Sequence, residues 1–294
     1  MEPINFTCEF DKAHNVLKDM IEKGYSIKQI ADLYNIDTYN VIHYLLIKDN
    51  DNINILNAIK NHYESYKINE NKFLVISDTH TGRLANKEDT DYQKQWLKNE
   101  IGTYNAYNYA LKNNIRTIVH AGDLVEGACD NGTKRLEVTD QFKYINKFYP
   151  ILPNIKTYLL FGNHDYNLQY YNGVNLKENL KEIKQLEIIG VNYSYVNFNN
   201  NLLKVSHDCT AAEMYNNVEL PYNFELSGHS HIFAMYDEER KIKVPTLSSE
   251  NADSTYRGFL EITEEENEYV IKFLGDTLEL TNEKVLSKKI NKML

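Results

Sequence analysis

The sequence predicts an α/β protein with a small all-helical module ahead of it, and three observations support that class. Through residues 10–66 the apolar positions recur at helical spacing. From Phe73 onward short apolar runs alternate with longer amphipathic stretches, the pattern of strands and helices in turn. Four of those runs end in clusters of Asp, His, Asn and Gly, and polar clusters at strand ends converge on one rim of a sheet, where loops hold functional groups on a rigid frame. A chain of 294 residues accommodates one large α/β core and an appendage, expected at 71–294 and 1–70.

Taken in order, Phe10, Ala13, Val16, Leu17, Met20 and Ile21 share one helical face, and Gly24 stands where a helix stops. Ser26 suits the cap of a second helix carrying Ile27, Ile30, Ala31 and Tyr34. Asn35 suits the left-handed turn that follows, and Thr38 caps a third helix with Val41, Leu45 and Leu46. This is the grammar of a helix-turn-helix. A fourth helix is expected over 53–66, then a polar linker over 67–72. Residues 73–77, 115–119, 155–160 and 202–205 read as strands running into Asp78-Thr-His80, His120-Ala-Gly-Asp123, Gly162-Asn-His-Asp165 and His207-Asp208. Residues 241–280 read as hairpins closing a second sheet.

Composition bounds the function. No apolar run approaches the ~20 residues that cross a bilayer, and the first residues lack the basic and apolar regions of a signal peptide, so a cytoplasmic protein without membrane partners is expected. Cys8, Cys129 and Cys209 are odd in number and scattered, which predicts reduced thiols, not a disulfide framework or a Cys-x-x-Cys zinc site. A net charge of −10 opposes general nucleic-acid affinity, which rests on clustered Lys and Arg, although bound cations supply local positive charge that a whole-chain sum conceals.

A fifth polar block, Gly228-His-Ser-His231, joins the four at the strand ends, and with the second taken as Gly122-Asp123 they hold five of the nine histidines. Imidazoles mixed with hard oxygen ligands suit manganese, iron or zinc better than calcium or magnesium. Asp78, His80, Asp123, Asn163, His207, His229 and His231 make seven candidate ligands. That is too many for one tetrahedral zinc and suits two ions sharing a carboxylate. Gly122, Gly162 and Gly228 let the backbone turn closely beside them.

These five blocks, in this order over residues 73–265, resemble the signature of the calcineurin-like metallophosphoesterases. The resemblance implies a four-layer α/β/β/α sandwich and two divalent metals, manganese foremost, with iron, zinc or magnesium as alternatives. It implies that Asp78, His80 and His231 hold one metal, that Asn163, His207 and His229 hold the other, and that Asp123 bridges them. Hydroxide held between the metals would then attack phosphorus, with His164 as general acid. Glu126, three residues after the bridge, stands where related phosphatases carry an aspartate, and is the first candidate to orient His164; Asp165 is the second. Where the protein phosphatases of the family place Arg after that acid, this chain has Gly127, and where certain phosphodiesterases replace the histidine of the third block with Cys, it keeps His164. With the opening Ile76-Ser-Asp-Thr-His-Thr-Gly82, these features lean toward the phosphodiesterase and repair-exonuclease branch, and so toward a nuclease with nucleic acid as substrate. The alternatives are a phosphomonoesterase acting on a small molecule or phosphoprotein, and a DNA-tethered assembly factor.

Other positions carry blander readings. His120 lies within a strand, as a core histidine or a support for a ligand. His14, His43 and His62 read as surface or packing residues. Asp208 suits either support of His207 or a cap for a helix at Ala211. Arg83 and Arg257 could reach a phosphate or form ordinary ion pairs, and the Glu-rich stretch 261–268 reads as a solvated hairpin. Thr38, Tyr39, Asn40 and His43 would face a DNA groove if the helix pair reads DNA. Residues 1–70 hold seven lysines, no arginine and eleven acids, which favours packing or self-association. Segments 84–93, 128–134 and 166–176 read as loops bordering the metals.

Overall fold

The structure is a computed structural model that describes residues 10–49, 51–83, 92–128, 135–150, 152–207, 220–248, 257–266, 268–275 and 285–291. In chain order the elements are α1 (Phe10–Glu22), α2 (Ile27–Tyr34), α3 (Thr38–Leu46), α4 (Ile53–Glu64), β1 (Lys67–Ile68), β2 (Lys72–Ile76), α5 (Tyr92–Lys112) and β3 (Thr117–Ala121). There follow α6 (Val138–Phe148), β4 (Lys156–Phe161), α7 (Asn163–Asn172), α8 (Leu176–Leu180), β5 (Leu186–Val191), β6 (Tyr193–Phe198) and β7 (Asn201–Ser206). The last are β8 (Glu225–Ser227), β9 (Ala234–Tyr236), β10 (Lys241–Lys243), β11 (Gly258–Glu264), β12 (Glu268–Gly275) and β13 (Val285–Asn291).

The strands form one ladder in the order β13-β12-β11-β2-β3-β4-β5-β6-β7-β8-β10-β9, with β1 pairing β6. It folds over at the single Val191–Tyr193 pair between β5 and β6, where Asn192 takes φ 62°. The two halves then lie face to face: ring centroids of Phe73 and Phe198 are 4.8 Å apart, and those of Phe224 and Tyr269 5.0 Å. Tyr195 and Phe198 fall on opposite faces of β6 by the two-residue period of a strand, so Tyr195 meets Tyr63 of α4 at 4.9 Å. Ala106, Tyr107, Phe142 and Ile145 of α5 and α6 pack on Leu74, Ile76 and Leu159 across the far face of the first half. The result is the expected α/β/β/α sandwich, with the N-terminal helices on one outer side.

The helical module follows its local signals. Ser26 accepts from Gln29 N at 3.2 Å while Gln29 Oε1 accepts from Ser26 N at 2.8 Å, a reciprocal cap, and Asn35 turns left-handed at φ 52°. The cap of α3 is Asp37, not Thr38, which is the first helical residue. No residue of α3 is exposed. The linker expected at 67–72 is instead structured: Lys67 and Ile68 pair with Asn197 and Phe198. Leu17, Ile30 and Leu45 of the module share one apolar cluster with Phe73, Phe198 and Tyr269.

Three further expectations change. The 241–280 hairpins do not all close the second half of the ladder: β11 pairs antiparallel with β2 and extends the first half, a long-range pairing that alternation of apolar residues does not specify. Segment 166–176 is not a loop: α7 runs from Asn163 to Asn172 and ends on left-handed Gly173, φ 64°. Glu261 in the acidic hairpin is buried, held by Tyr109 Oη at 3.0 Å and Lys272 Nζ at 3.0 Å. Most of segments 84–93 and 128–134 lies outside the described residues, as do Cys8, Cys129, Cys209, Asp208 and Ala211.

Candidate metal centre

Parallel strands β2, β3 and β4 bring their C-terminal ends to one rim, and parallel β7 and β8 bring theirs to the same place after the fold-over. The five polar blocks follow those ends, so the topology alone collects them. Asp78, His80 and His231 form one group of potential ligand atoms lying within 4.8 Å of one another, and Asp123, His207 and His229 form another. His80, Asp123 and His164 form a third that joins them. Asn163 Oδ1 lies 3.1 Å from His207 Nε2. All seven predicted ligands are thus brought together.

The second atoms of these side chains are committed elsewhere, as metal-ligating residues require. His207 Nδ1 donates to Ala121 O at 2.7 Å, which turns Nε2 toward Asp123 Oδ2 at 3.0 Å. Asp123 Oδ1 accepts from His164 N at 2.9 Å, leaving Oδ2 for the cluster. Asp78 Oδ2 accepts from His229 N at 3.0 Å, whereas the buried Asp78 Oδ1 stands 3.2 Å from His231 Nε2. The Nε2 atoms of His80 and His231 face each other at 3.2 Å.

Backbone strain marks the same place. Asp78, His80, Asp123, His229 and His231 all have φ between 43° and 72°, while the other non-glycine residues at positive φ among the described residues are five asparagines and one arginine. Positive φ is uncommon for any residue with a side chain, so five such Asp and His residues gathered at one rim mark a conformation that the surrounding fold holds in place. Gly122, at φ 102°, is required twice over, since a Cβ there would sit 2.2 Å from His207 Nδ1.

Electrostatics give the cluster an appetite for positive charge. Burial opposes ionisation of Asp123, yet His207 and His80 beside it hold its carboxyl well below the usual range, and Asp78 is likewise lowered, chiefly by His207 and His231 against burial. Burial also opposes a charged His207, but Asp123 and Asp78 raise it to about 10. His80 is pushed down by burial and by Arg83. Ionised carboxylates that draw protons onto their histidines are a donor set for divalent cations, and its size and shared Asp123 suit two of them.

Around the ligands, several residues take roles that differ from expectation. Glu126 does not orient His164 through its carboxylate: Oε2 stands 3.0 Å from His80 Nδ1 and 2.6 Å from Arg83 Nε. Its backbone carbonyl instead accepts from His164 Nδ1 at 2.6 Å. Asp165 does not reach for His164 either, because its two oxygens accept from the amides of Leu124, Val125 and Gly162 at 3.0–3.1 Å and tie the loops after β3 and β4 together. Burial and Asp123 push the Asp165 carboxyl up to about 7. Arg83 is 2% exposed and Arg257 6%, the latter donating to Leu247 O at 3.2 Å. His120 is buried beside the cluster, 3.0 Å from Thr79 Oγ1, and burial lowers it to about 4. Thr79 was not singled out from sequence; its hydroxyl also bonds Leu124 O at 3.0 Å, and only its place inside Asp78-Thr-His80 hinted at it.

A sequence profile described as calcineurin-like phosphoesterase matches residues 71–233. Among solved structures, the phosphoesterase YfcE from E. coli matches at 12% identity with a TM-score of 0.45, covering 76% of this chain and all 100% of that one. Vps29 from Entamoeba histolytica, complexed with zinc, matches at 13% identity with a TM-score of 0.38, covering 75% and 98%. An archaeal phosphodiesterase matches at 17% identity with a TM-score of 0.37, covering 74% and 99%. Among the described residues no helix is long and apolar enough to cross a membrane.

Proposed function

The chain belongs to the calcineurin-like phosphoesterase family, and from that premise we propose that it is a divalent-metal-dependent phosphodiesterase acting on nucleic acid. The observation that carries the reading is that Asp123 groups with His207 and His229 on one side and with His80 and His164 on the other, which sets His164 beside the candidate ligands. When bound, two divalent cations would supply Lewis acidity to the phosphate oxygens and activation of water. Asp78, His80 and His231 would hold one, Asn163, His207 and His229 the other, and Asp123 both. The peptide carbonyl of Glu126 only accepts, so His164 Nδ1 donates to it, and in the imidazolium form the ring would carry a second proton on Nε2 to give to a departing oxygen. The Glu126 carboxylate stands 3.0 Å from His80 Nδ1, on the side of the ring opposite the Nε2 that meets the cluster.

Charge favours a diester. A phosphomonoester is close to dianionic at neutral pH, and its recognition gains from an arginine clamp. Position 127 is glycine, at φ 74°, and Arg83 is spent on Glu126 inside the protein. A diester, with one negative charge, asks less of the site. The test is Mn²⁺-dependent cleavage of labelled single- and double-stranded DNA and RNA by wild type and Asp123→Asn. Cleavage by the wild type alone supports the reading. Absence of cleavage, with robust turnover of a small phosphodiester, would move the substrate away from nucleic acid.

A further inference from the structure

We infer that the cleft between the N-terminal helices and the β5 edge is a second ligand site, shaped for a free nucleotide: lysines at its rim for phosphate and an aromatic, apolar wall for the base. The cleft has a volume of about 570 Å³, within the 300–1,000 Å³ of small-molecule sites. None of the seven metal-site residues lines it. Tyr39 and Tyr66 from the module and Phe161, Ile188 and Val191 from the sheet contribute to its lining, with Tyr39 and Ile188 the more accessible of them.

Five lysines line the same cleft, Lys28, Lys156, Lys177, Lys181 and Lys184, against Asp32, Asp37 and Glu187, in a chain of net charge −10. Two are engaged: Lys156 bonds Glu187 at 2.6 Å, and Lys181 pairs with Glu178. Lys28, Lys177 and Lys184 are exposed and have no ion pair among the described residues. They come from α2, from α8 and from the turn before β5, so they converge through tertiary folding and are not the solvated face of one helix. Cationic groups around an apolar wall select a phosphorylated ring over a bare anion, since the ring desolvates the wall while the phosphate meets the ammonium groups. The inference does not depend on what the metal centre hydrolyses.

The experiment is calorimetric titration of the full-length protein with AMP in EDTA, which removes any contribution of divalent metals. Lys28→Glu/Lys184→Glu reverses two exposed charges of the cleft, and Lys143→Glu reverses one on α6, where Lys143 pairs only locally with Asp140. The expected result is saturable AMP binding weakened about tenfold or more by the double variant, unchanged in Lys143→Glu, and inorganic phosphate binding at least about tenfold more weakly than AMP. Absent AMP binding, or binding indifferent to the double variant, overturns the proposal. Equal affinity for phosphate and AMP overturns the base-binding wall, and binding of a single-stranded pentanucleotide without AMP binding assigns the cleft to a strand and overturns the free nucleotide.

Discussion

Arg83, Glu126 and His80 make a buried relay in which one carboxylate serves a guanidinium and an imidazole together, at 2.6 and 3.0 Å. Glu126→Gln leaves the guanidinium buried without its counter-charge, and breaking one partner of a buried pair costs about 3–5 kcal/mol. Chemical denaturation of the variant should show a loss of that order, together with weaker metal retention from an unanchored His80. His164 carries a different signature. A general acid matters only when the leaving group needs a proton, so His164→Ala should slow release of an alkoxide such as a nucleoside hydroxyl by about 10²–10⁴-fold and barely affect release of nitrophenolate. Equal losses on both substrates would remove His164 from that role. The seven ligand candidates were legible because each stands beside glycine or another polar residue at the end of an apolar run, as Asp123 does after Gly122. The partners of Glu126 were not legible, since spacing places an acid near the site and cannot say which of two histidines its carboxylate meets.

At the scale of elements, α4 and the turn after it couple the module to the rest of the chain, Tyr63 against Tyr195 and Tyr66 against Tyr158, with His62 packed on Tyr66. His62 is 7% exposed, its Nε2 lies 3.1 Å from Tyr66 Oη, and burial, helped by Lys28, lowers its pKa from 6.5 to about 4. The folded protein therefore keeps this ring neutral while the unfolded chain protonates it. Its contribution is fully present above pH 6.5, falls as pH drops toward 4, and is lost below that. The shift corresponds to up to about 3 kcal/mol across the window. Urea unfolding at pH 7.5 and pH 4.5, in wild type and His62→Gln, should show a steeper loss in the wild type; parallel losses would exclude His62 as the source. Helices α1 to α4 were legible from periodicity and from Ser26 and Asn35. The turn of α7 was not, because Asn163-His164-Asp165 at its start reads as a polar loop until Gly162 and Asp165 are seen to cap it.

At the scale of the molecule, the sequence divides at residue 70 by composition, but the apolar core does not, running from Leu17 and Ile30 through Tyr63 to Phe198 and Tyr269. Periodicity reports which face of a helix is apolar; it is silent on what that face meets, and so β1, the α4 contact and the β11–β2 pairing stayed hidden. A chain beginning at residue 71 would uncover Tyr195, and loss of one large buried aromatic contact alone costs about 3–5 kcal/mol. The truncated protein should therefore lack a cooperative thermal transition, whereas the full chain should melt in one step; a truncated form with undiminished melting temperature would show two independent domains. The central claim concerns the rim where both halves of the ladder end. Metal-stripped protein titrated with Mn²⁺ should gain hydrolysis of bis-nitrophenyl phosphate, saturating near two ions per chain, exceeding its turnover of nitrophenyl phosphate, and absent in Asp123→Asn. Turnover that persists without metal, or survives Asp123→Asn, would contradict it.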